Sequence, residues 1–195
     1  MPKDFELEKL FRYYGTDKVA YATAYEIFLR PRRLQVTKLL EVGIGTLIRN
    51  APSNMIGWGA PHYRPGGSLR SWRDYFPQAW IIGIDVQPDT QFSEDRISTY
   101  LCNSTDRFAV SRLVEQLDLR DIDIIIDDGS HRASDQLSTM HNLFPYLVPN
   151  GLYVIEDVVG NGIFDFKEEI LDTVGNAVLL SAGVEFNPIF IQKID

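Results

Sequence analysis

The sequence predicts an α/β protein with a doubly wound, mostly parallel seven-stranded sheet and an antiparallel strand pair near its C-terminal end. Three observations support this prediction: short apolar runs typical of buried strands, amphipathic segments that alternate with them, and two late strand-like runs joined by a short polar link. Strands that alternate with helices imply right-handed βαβ crossovers and a parallel sheet that is covered on both faces.

Seven apolar runs are predicted to form the strands. The parallel strands are expected at residues 37–43, 79–86, 97–102, 122–127 and 152–157. The antiparallel pair is expected at residues 176–184 and 188–194, at an edge of the sheet. Helical patterns fill the intervals between the parallel strands at residues 67–76, 106–117 and 133–147.

Two further helices are predicted before the first strand. They cover residues 4–14 and about 19–29, and Pro31 stops the second. Together they make residues 1–30 a helical segment that we expect to act as a lid. The one long irregular stretch, residues 46–65, is rich in Gly, Pro and Asn, and a loop of that length is typically functional. We expect it to cover the active site.

The composition is that of a folded globular protein. Its 195 residues suit a single domain, expected over residues 1–195. Hydrophobic residues make up 45% and charged residues 24% of the chain, which excludes disordered and collagen-like architectures. The formal net charge of −8 disfavours a nucleic-acid partner, because an acidic surface repels phosphate groups.

The chain carries no sequence signal for export or for a membrane. Its single cysteine, Cys102, cannot form an intrachain disulfide, which favours a reducing compartment. The charged N-terminus lacks the apolar segment of a signal peptide, and no apolar run approaches the ~18 residues of a membrane-spanning helix. We therefore expect a cytoplasmic protein that does not associate with membranes.

Glycines and an acid follow the first two strands. Ligands of open α/β sheets bind outside the carboxyl ends of the strands, so Gly43 and Gly45 can bring the backbone close to a ligand. Asp85, at the end of the second strand, suits ribose hydroxyls, although Gly43 and Gly45 alone can also be a plain tight turn. A dinucleotide site is disfavoured because a third glycine is missing and Asp85 lies 40 residues after Gly45. A nucleoside cofactor of another kind is the remaining interpretation.

Four carboxylates lie at the ends of the fourth and fifth strands. If these strands are neighbours, about 5 Å apart, each carboxylate pair repels by roughly 3 kcal/mol at an effective dielectric constant of about 20. A divalent cation would offset this repulsion, and oxygen ligands favour Mg²⁺, with Mn²⁺ or Ca²⁺ as alternatives. The other interpretation is a strand-end turn with a helix cap and a separate solvated loop. The carboxylates belong to Asp127, Asp128, Glu156 and Asp157.

Side chains that follow each other along a strand point to opposite faces, so Asp127 and Asp128 are expected to differ in role. We assign Asp127 to the cofactor and Asp128 to the metal. His131 follows three residues later, within reach of a substrate at the metal, and a neutral imidazole can take a proton from an alcohol. A surface or helix-capping histidine is the alternative.

Five motifs occur in order over about residues 10–160. They are Tyr-Gly-Thr-Asp-Lys at 14–18, Glu-Val-Gly-Ile-Gly at 41–45, Gly-Gly-Ser-Leu-Arg-x-Trp at 66–72, Ile-Ile-Asp-Asp-Gly-Ser-His at 125–131 and Gly-Leu-Tyr-Val-Ile-Glu-Asp at 151–157. Together they resemble the metal-dependent sugar O-methyltransferases of macrolide and related antibiotic pathways, of the mycinamicin type.

The resemblance implies a class I, Rossmann-like fold that binds S-adenosyl-L-methionine, and a Mg²⁺ ion that grips two neighbouring sugar hydroxyls. It implies His131 as the general base. The metal ligands that it implies are Asp128, Glu156 and Asp157. The cofactor contacts are Glu41, Gly43, Gly45, Ser68, Asp85, Asn103, Ser104 and Asp127, with Tyr14 and Thr16 in a lid over the methionine end.

The chain departs from the family pattern in three places. After the third strand it has Cys102-Asn103-Ser104-Thr105-Asp106 where the family often has Gly-Asp-Gln-Ser-Asp. Its 46–65 loop is longer than the family's glycine-rich turn, and its first motif begins so early that we expect no separate N-terminal domain.

The expected function is S-adenosylmethionine-dependent, Mg²⁺-assisted O-methylation of a sugar or a vicinally oxygenated natural product in secondary metabolism. Two alternatives stay open: a methyltransferase of the cephalosporin-hydroxylase-like type or one that acts on another nucleophile, and a non-catalytic accessory protein that binds the cofactor. The expected partner is a small hydroxylated molecule, glycosylated in the favoured interpretation. A homo-oligomer is compatible with the sequence.

Overall fold

The computed structural model describes residues 6–51, 53–158, 168–172, 174–175, 177–181 and 188–194. Its α-helices are α1 (Glu6–Tyr14), α2 (Ala22–Leu29), α3 (Gly67–Tyr75), α4 (Arg107–Leu117) and α5 (Ala133–Leu143). Its strands are β1 (Lys38–Val42), β2 (Trp80–Asp85), β3 (Ser93–Glu94), β4 (Ile97–Leu101), β5 (Ile122–Asp127), β6 (Leu147–Ile155), β7 (Ala177–Ser181) and β8 (Ile189–Lys193).

The strands form one sheet in the order β3-β4-β2-β1-β5-β6-β8-β7. The five strands from β4 to β6 in this order are parallel, whereas β8 pairs antiparallel with both β6 and β7. The predicted fold class, with its parallel strands and its closing antiparallel pair, is therefore confirmed. The two-residue strand β3 was not predicted, since a run that short carries no periodic pattern.

The chain reverses its direction of winding between β1 and β5. From β1 it builds outward to β2 and β4 on one side, and after α4 it returns to place β5 and β6 on the other. The pairs Val42–Asp127 and Asp127–Ile155 lie side by side at the carboxyl edge. The residues that follow these strands therefore meet at the switch point of the sheet, where α/β proteins bind ligands.

Helices cover both faces of the sheet, as the doubly wound prediction requires. On one face, Leu39 belongs to a core with Phe11, Tyr25 and Trp72 from α1, α2 and α3. On the other face, Leu40 packs in a core that includes residues of α4 and α5. The opposite sides taken by two adjacent β1 residues follow from the two-residue repeat of a strand.

The boundary between α5 and β6 differs from the prediction. We expected a helix to residue 147 and a strand from 152, but α5 ends at Leu143 and β6 begins at Leu147. A 3₁₀ turn that contains Pro145 ends the helix, because proline cannot continue the α-helical hydrogen bonding. Leu147 then pairs with Ile122 across an irregularity in the register.

The start of α2 also differs from the predicted position, because residues Asp17–Tyr21 form a 3₁₀ turn and α2 begins at Ala22. Parts of the predicted strand 176–184, namely 176 and 182–184, and residues 4–5 of the first predicted helix lie outside the described residues. None of the helices in the described part of the chain combines the length and apolar character needed to span a bilayer.

Candidate active site

A cavity of about 780 Å³ opens at the carboxyl edge of the parallel strands. Predicted cofactor contacts and predicted metal or catalytic residues share it. The former are Gly43, Gly45, Asp85, Asn103, Ser104 and Asp127, and the latter are Asp128, His131 and Asp157. The cavity thus brings together residues that lie more than a hundred positions apart in the sequence.

The turn after β1 depends on glycine at Gly43. Its φ angle is +86°, and a Cβ atom at this position would lie 2.0 Å from the carbonyl oxygen of Asp128. The Asp85 carboxylate holds the turn from the β2 side, because it accepts hydrogen bonds from the backbone N–H groups of Ile44 and Gln87, both at 2.8 Å. Burial raises the Asp85 pKa, against the opposing effect of these backbone bonds.

Asp127 contributes a buried carboxylate to the wall of the cavity. Its side chain is 1% exposed, and Oδ1 accepts from the backbone N–H of Gly129 at 3.3 Å. Oδ2 is buried and has no hydrogen-bond partner among the described residues. Burial raises the Asp127 pKa to about 7. The buried hydroxyl of Tyr153 lies beside this carboxylate, and its interaction with Asp127 opposes the rise in the Asp127 pKa.

Asp128, His131 and Asp157 form a compact group of potential metal ligands. One ligand atom from each side chain lies within 4.8 Å of the other two. His131 Nε2 is 3.0 Å from Asp128 Oδ1 and 3.6 Å from Asp157 Oδ2. Two carboxylates and an imidazole suit a hard or borderline divalent cation, so these residues fit the predicted Mg²⁺.

Two of these residues adopt the left-handed backbone region. The φ angles are 60° for His131 and 50° for Asp157. Non-glycine residues are uncommon there, although His, Asp and Asn are enriched, and such conformations cluster at active sites. The backbone conformation therefore directs both side chains toward the same point of the cavity.

The acids around His131 favour its protonated form. Burial alone would lower the His131 pKa, but the hydrogen bond to Asp128 and the negative charges of Asp128 and Asp157 outweigh it and raise the pKa. The imidazole becomes a better proton acceptor once a cation neutralises these two carboxylates.

Lys18 is the cation that neutralises the acidic cluster in the structure. The side chain is 2% exposed, and its Nζ lies 2.5 Å from Asp128 Oδ2, 2.5 Å from Glu156 Oε2 and 3.7 Å from Glu41 Oε1. The carboxylate repulsion that predicts a metal ion is therefore compensated, at least in part, by a lysine. Lys18 ends the first of the five motifs, but no spacing rule indicated that its side chain would reach strands β5 and β6.

Glu156 lies behind the compact group rather than in it. Its side chain is 1% exposed, Oε2 accepts from Lys18, and Oε1 accepts from the Tyr25 hydroxyl. Burial raises the Glu156 pKa well above its usual value, against the opposing charge of Lys18. Of the three predicted metal ligands, the structure therefore brings Asp128 and Asp157 together with His131, and it holds Glu156 on internal partners.

Glu41 and Ser68 pair with each other beneath the cavity. The Ser68 hydroxyl donates to Glu41 Oε1 at 2.7 Å, and the Trp72 indole donates to Oε2 at 2.5 Å. Burial raises the Glu41 pKa to about 7, although the Lys18 charge lowers it. Neither residue lines the cavity, so their contact with a cofactor stays a prediction.

The two predicted lid residues also lie away from the cavity lining. The Tyr14 hydroxyl donates to Asp74 Oδ2 at 2.5 Å. Thr16 is 6% exposed, and its hydroxyl donates to Asp17 Oδ1 at 3.2 Å. Their role over the methionine end stays a prediction.

Tyr21, which the sequence did not indicate, and the 46–65 loop, which was expected to cover the site, both supply residues of the cavity lining. The Tyr21 hydroxyl donates to Asp157 Oδ1. Met55 and Trp58 of the loop line the cavity, and Trp58 is 77% exposed. The loop is tied to the N-terminal segment, since the Ala60 N–H donates to the Gly15 carbonyl at 2.9 Å.

Comparison with known proteins gives relatives that share one activity. No protein-family model matches the chain. It is 38% identical, over 138 residues, to the 8-demethyl-8-(2-methoxy-alpha-L-rhamnosyl)-tetracenomycin-C 3'-O-methyltransferase of Streptomyces olivaceus. The matched region covers 71% of this chain and 32% of that protein. It is 32% identical, over 157 residues, to the mycinamicin VI 2''-O-methyltransferase of Micromonospora griseorubida, with coverage of 78% and 36%.

A solved structure extends the similarity to the fold. The MycE methyltransferase from the mycinamycin biosynthetic pathway, in complex with Mg and SAH, matches with a TM-score of 0.76 and 27% identity over 97% of this chain and 55% of that one. The chain spans about a third of the length of the curated relatives that it matches. These similarities identify the chain as a relative of the sugar O-methyltransferases of antibiotic biosynthesis, with the class I methyltransferase fold.

Proposed function

We propose that this chain is an S-adenosylmethionine-dependent, Mg²⁺-assisted O-methyltransferase that acts on a hydroxyl of a sugar or a vicinally oxygenated natural product. One observation carries the proposal. A single cavity is lined both by the glycine turn with Asp85 and by the Asp128–His131–Asp157 group. Cofactor and acceptor sites that share one cavity are what methyl transfer requires.

The cofactor half of the cavity lies between β1, β2 and β5. The Gly43 turn permits close approach of a ligand, Asp85 suits ribose hydroxyls, and the Asp127 carboxylate lines the same half of the cavity. S-adenosylmethionine has ribose hydroxyls, an adenine amine and an α-amine to offer. The structure of MycE with SAH and Mg supports the assignment of this cofactor.

The acceptor half lies between Asp128, His131 and Asp157. Asp128 and Asp157 would hold Mg²⁺, and Glu156 is the third predicted ligand. When bound, Mg²⁺ supplies Lewis acidity toward an alcohol and neutralises the acids around His131. His131 accepts the proton of the acceptor hydroxyl, and the cavity aligns the acceptor oxygen, the methyl carbon and the sulfur for in-line transfer.

The loop of residues 46–65 is proposed as an active-site loop and residues 1–30 as a lid. Trp58 and Met55 add apolar surface to the cavity, which suits the apolar part of a glycosylated acceptor. One relative is named for a rhamnosyl tetracenomycin, which is a glycosylated acceptor. We place the activity in the cytoplasm.

Titration calorimetry with S-adenosylhomocysteine tests cofactor binding, and transfer of a labelled methyl group to a panel of rhamnosides, macrolide glycosides, catechols and amines tests the acceptor. The proposal expects binding and transfer to a glycoside hydroxyl. Transfer to amines alone would favour another nucleophile, and binding without transfer to any acceptor would favour an accessory protein. Absence of binding would overturn the proposal.

Removal of divalent ions is expected to reduce methyl transfer at least about 100-fold. Without the metal ion, the acceptor hydroxyl would lose its Lewis acid, and the carboxylates around His131 would keep the imidazole protonated. Activity of protein treated with EDTA and then dialysed should return on addition of Mg²⁺. Equal turnover before and after chelation would contradict the metal assignment of Asp128 and Asp157.

A further inference from the structure

Lys18 occupies a position that a metal-dependent mechanism does not explain. Its ammonium group is buried among three carboxylates, with Asp128 and Glu156 at 2.5 Å and Glu41 at 3.7 Å. A buried ammonium is stable only when carboxylates compensate for its lost hydration, and the same holds for buried carboxylates. Lys18 therefore lets the strand ends of β5 and β6 meet without a metal ion.

Both oxygens of Glu156 already accept a hydrogen bond while Lys18 is in place. Oε2 is bonded to Lys18 and Oε1 to the Tyr25 hydroxyl. Asp128 divides its two oxygens differently, with Oδ2 on Lys18 and Oδ1 beside His131 at the cavity. A divalent cation can thus reach Asp128 with Lys18 present, but to bind Glu156 it must share or displace the hydrogen bond from Lys18 or the one from Tyr25.

We propose that Lys18 is a built-in counter-ion that competes with the divalent cation for Asp128 and Glu156 and so sets the metal affinity of the site. The inference rests on the proposed metal-dependent function. Two cations on the same carboxylates repel strongly in a buried site, where the effective dielectric constant is low. Metal binding is therefore expected to displace the Lys18 ammonium.

Displacement of Lys18 would also affect residues that line the cavity. Lys18 lies in the 3₁₀ turn Asp17–Tyr21, and both end residues of this turn line the cavity. Tyr21 is itself hydrogen-bonded to Asp157. The turn therefore contacts all three predicted metal ligands, through Lys18 on two of them and through Tyr21 on the third.

The test compares Mn²⁺ affinity, measured by electron paramagnetic resonance, in the wild-type chain, in Lys18→Met and in Lys38→Met. Methionine fills the space of lysine without its charge. Lys38 is a matched control, because its ammonium donates to the Arg120 carbonyl at 2.7 Å, away from the cluster. We expect Lys18→Met to bind Mn²⁺ at least about tenfold more tightly, and Lys38→Met to match the wild type.

The outcomes separate this inference from the proposed function. Equal or weaker Mn²⁺ binding by folded Lys18→Met overturns the competition and leaves the metal dependence of the wild type standing. Absence of binding in both proteins overturns both proposals. Tighter Mn²⁺ binding by Lys18→Met than by the wild type, with wild-type affinity in Lys38→Met, supports the inference.

A second measurement on the wild-type chain covers the case in which Lys18→Met does not fold. Acetic anhydride labels accessible lysines, and peptide mass spectrometry reports each site with and without saturating Mg²⁺. Competition predicts that Mg²⁺ raises Lys18 labelling several-fold while Lys38 labelling stays constant. Equal protection of Lys18 with and without Mg²⁺ would overturn the inference.

Discussion

His131→Asn is expected to lower kcat for methyl transfer by about 100- to 10,000-fold, the usual contribution of a general base. Asparagine cannot accept the proton, but it tolerates the left-handed backbone that His131 adopts at φ 60°. The loss should therefore arise from chemistry and not from backbone strain. Steady-state kinetics at saturating Mg²⁺ and cofactor measure the effect.

The matched control is His141→Gln, which changes an exposed histidine on α5. It should leave kcat unchanged. Calorimetry should find that His131→Asn binds S-adenosylhomocysteine as the wild type does, since the recorded partners of the imidazole are Asp128 and Asp157. Retained full turnover in His131→Asn would show that another group accepts the proton.

Gly43→Ala is expected to destabilise the protein by about 3 kcal/mol, from the sum of a left-handed backbone penalty and an overpacking penalty. The new Cβ would lie 2.0 Å from the Asp128 carbonyl oxygen, and this backbone cannot move without shifting the end of β5. Cofactor binding should be lost as well. Urea unfolding and calorimetry measure the two effects.

Gly57→Ala separates the two causes of that loss. Gly57 has a similar φ angle of +90°, but a Cβ atom there would have no neighbour within 4 Å. This variant should therefore cost only about 1 kcal/mol, the backbone penalty alone. Equal destabilisation by the two variants would refute the close approach of β1 and β5 at Gly43.

Most of the parallel strands were predictable because they contain short apolar runs that are buried on both faces; β4, with exposed Leu101, is the exception. Ile124, Ile125 and Ile126 are all fully buried in β5, for example. The boundary between α5 and β6 was not predictable to better than several residues. Residues 144–150 mix Pro, Tyr, Asn and Val, and only tertiary pairing with Ile122 makes Leu147 part of a strand.

The residues of the candidate site at strand ends were predictable from the sequence. Residues whose long side chains enter the site from a distant segment were not. Asp85 and Asp127 are the last residues of their strands and Asp128 follows directly, so topology alone brings them to one edge. Lys18 is 110 residues from Asp128 in sequence, and a long side chain from a 3₁₀ turn gives no periodic signal. Motif spacing likewise does not reveal that Glu41 turns toward Ser68 and Trp72.

The central claim is that one cavity holds both the methyl donor and a divalent cation beside Asp128 and Asp157. A crystal structure of the chain grown with S-adenosylhomocysteine and Mn²⁺, with anomalous diffraction data, tests it directly. We expect an anomalous peak about 2 Å from carboxylate oxygens of Asp128 and Asp157, with the ribose of the ligand at Asp85. A peak elsewhere, no peak at all, or a ligand outside this cavity would contradict the account.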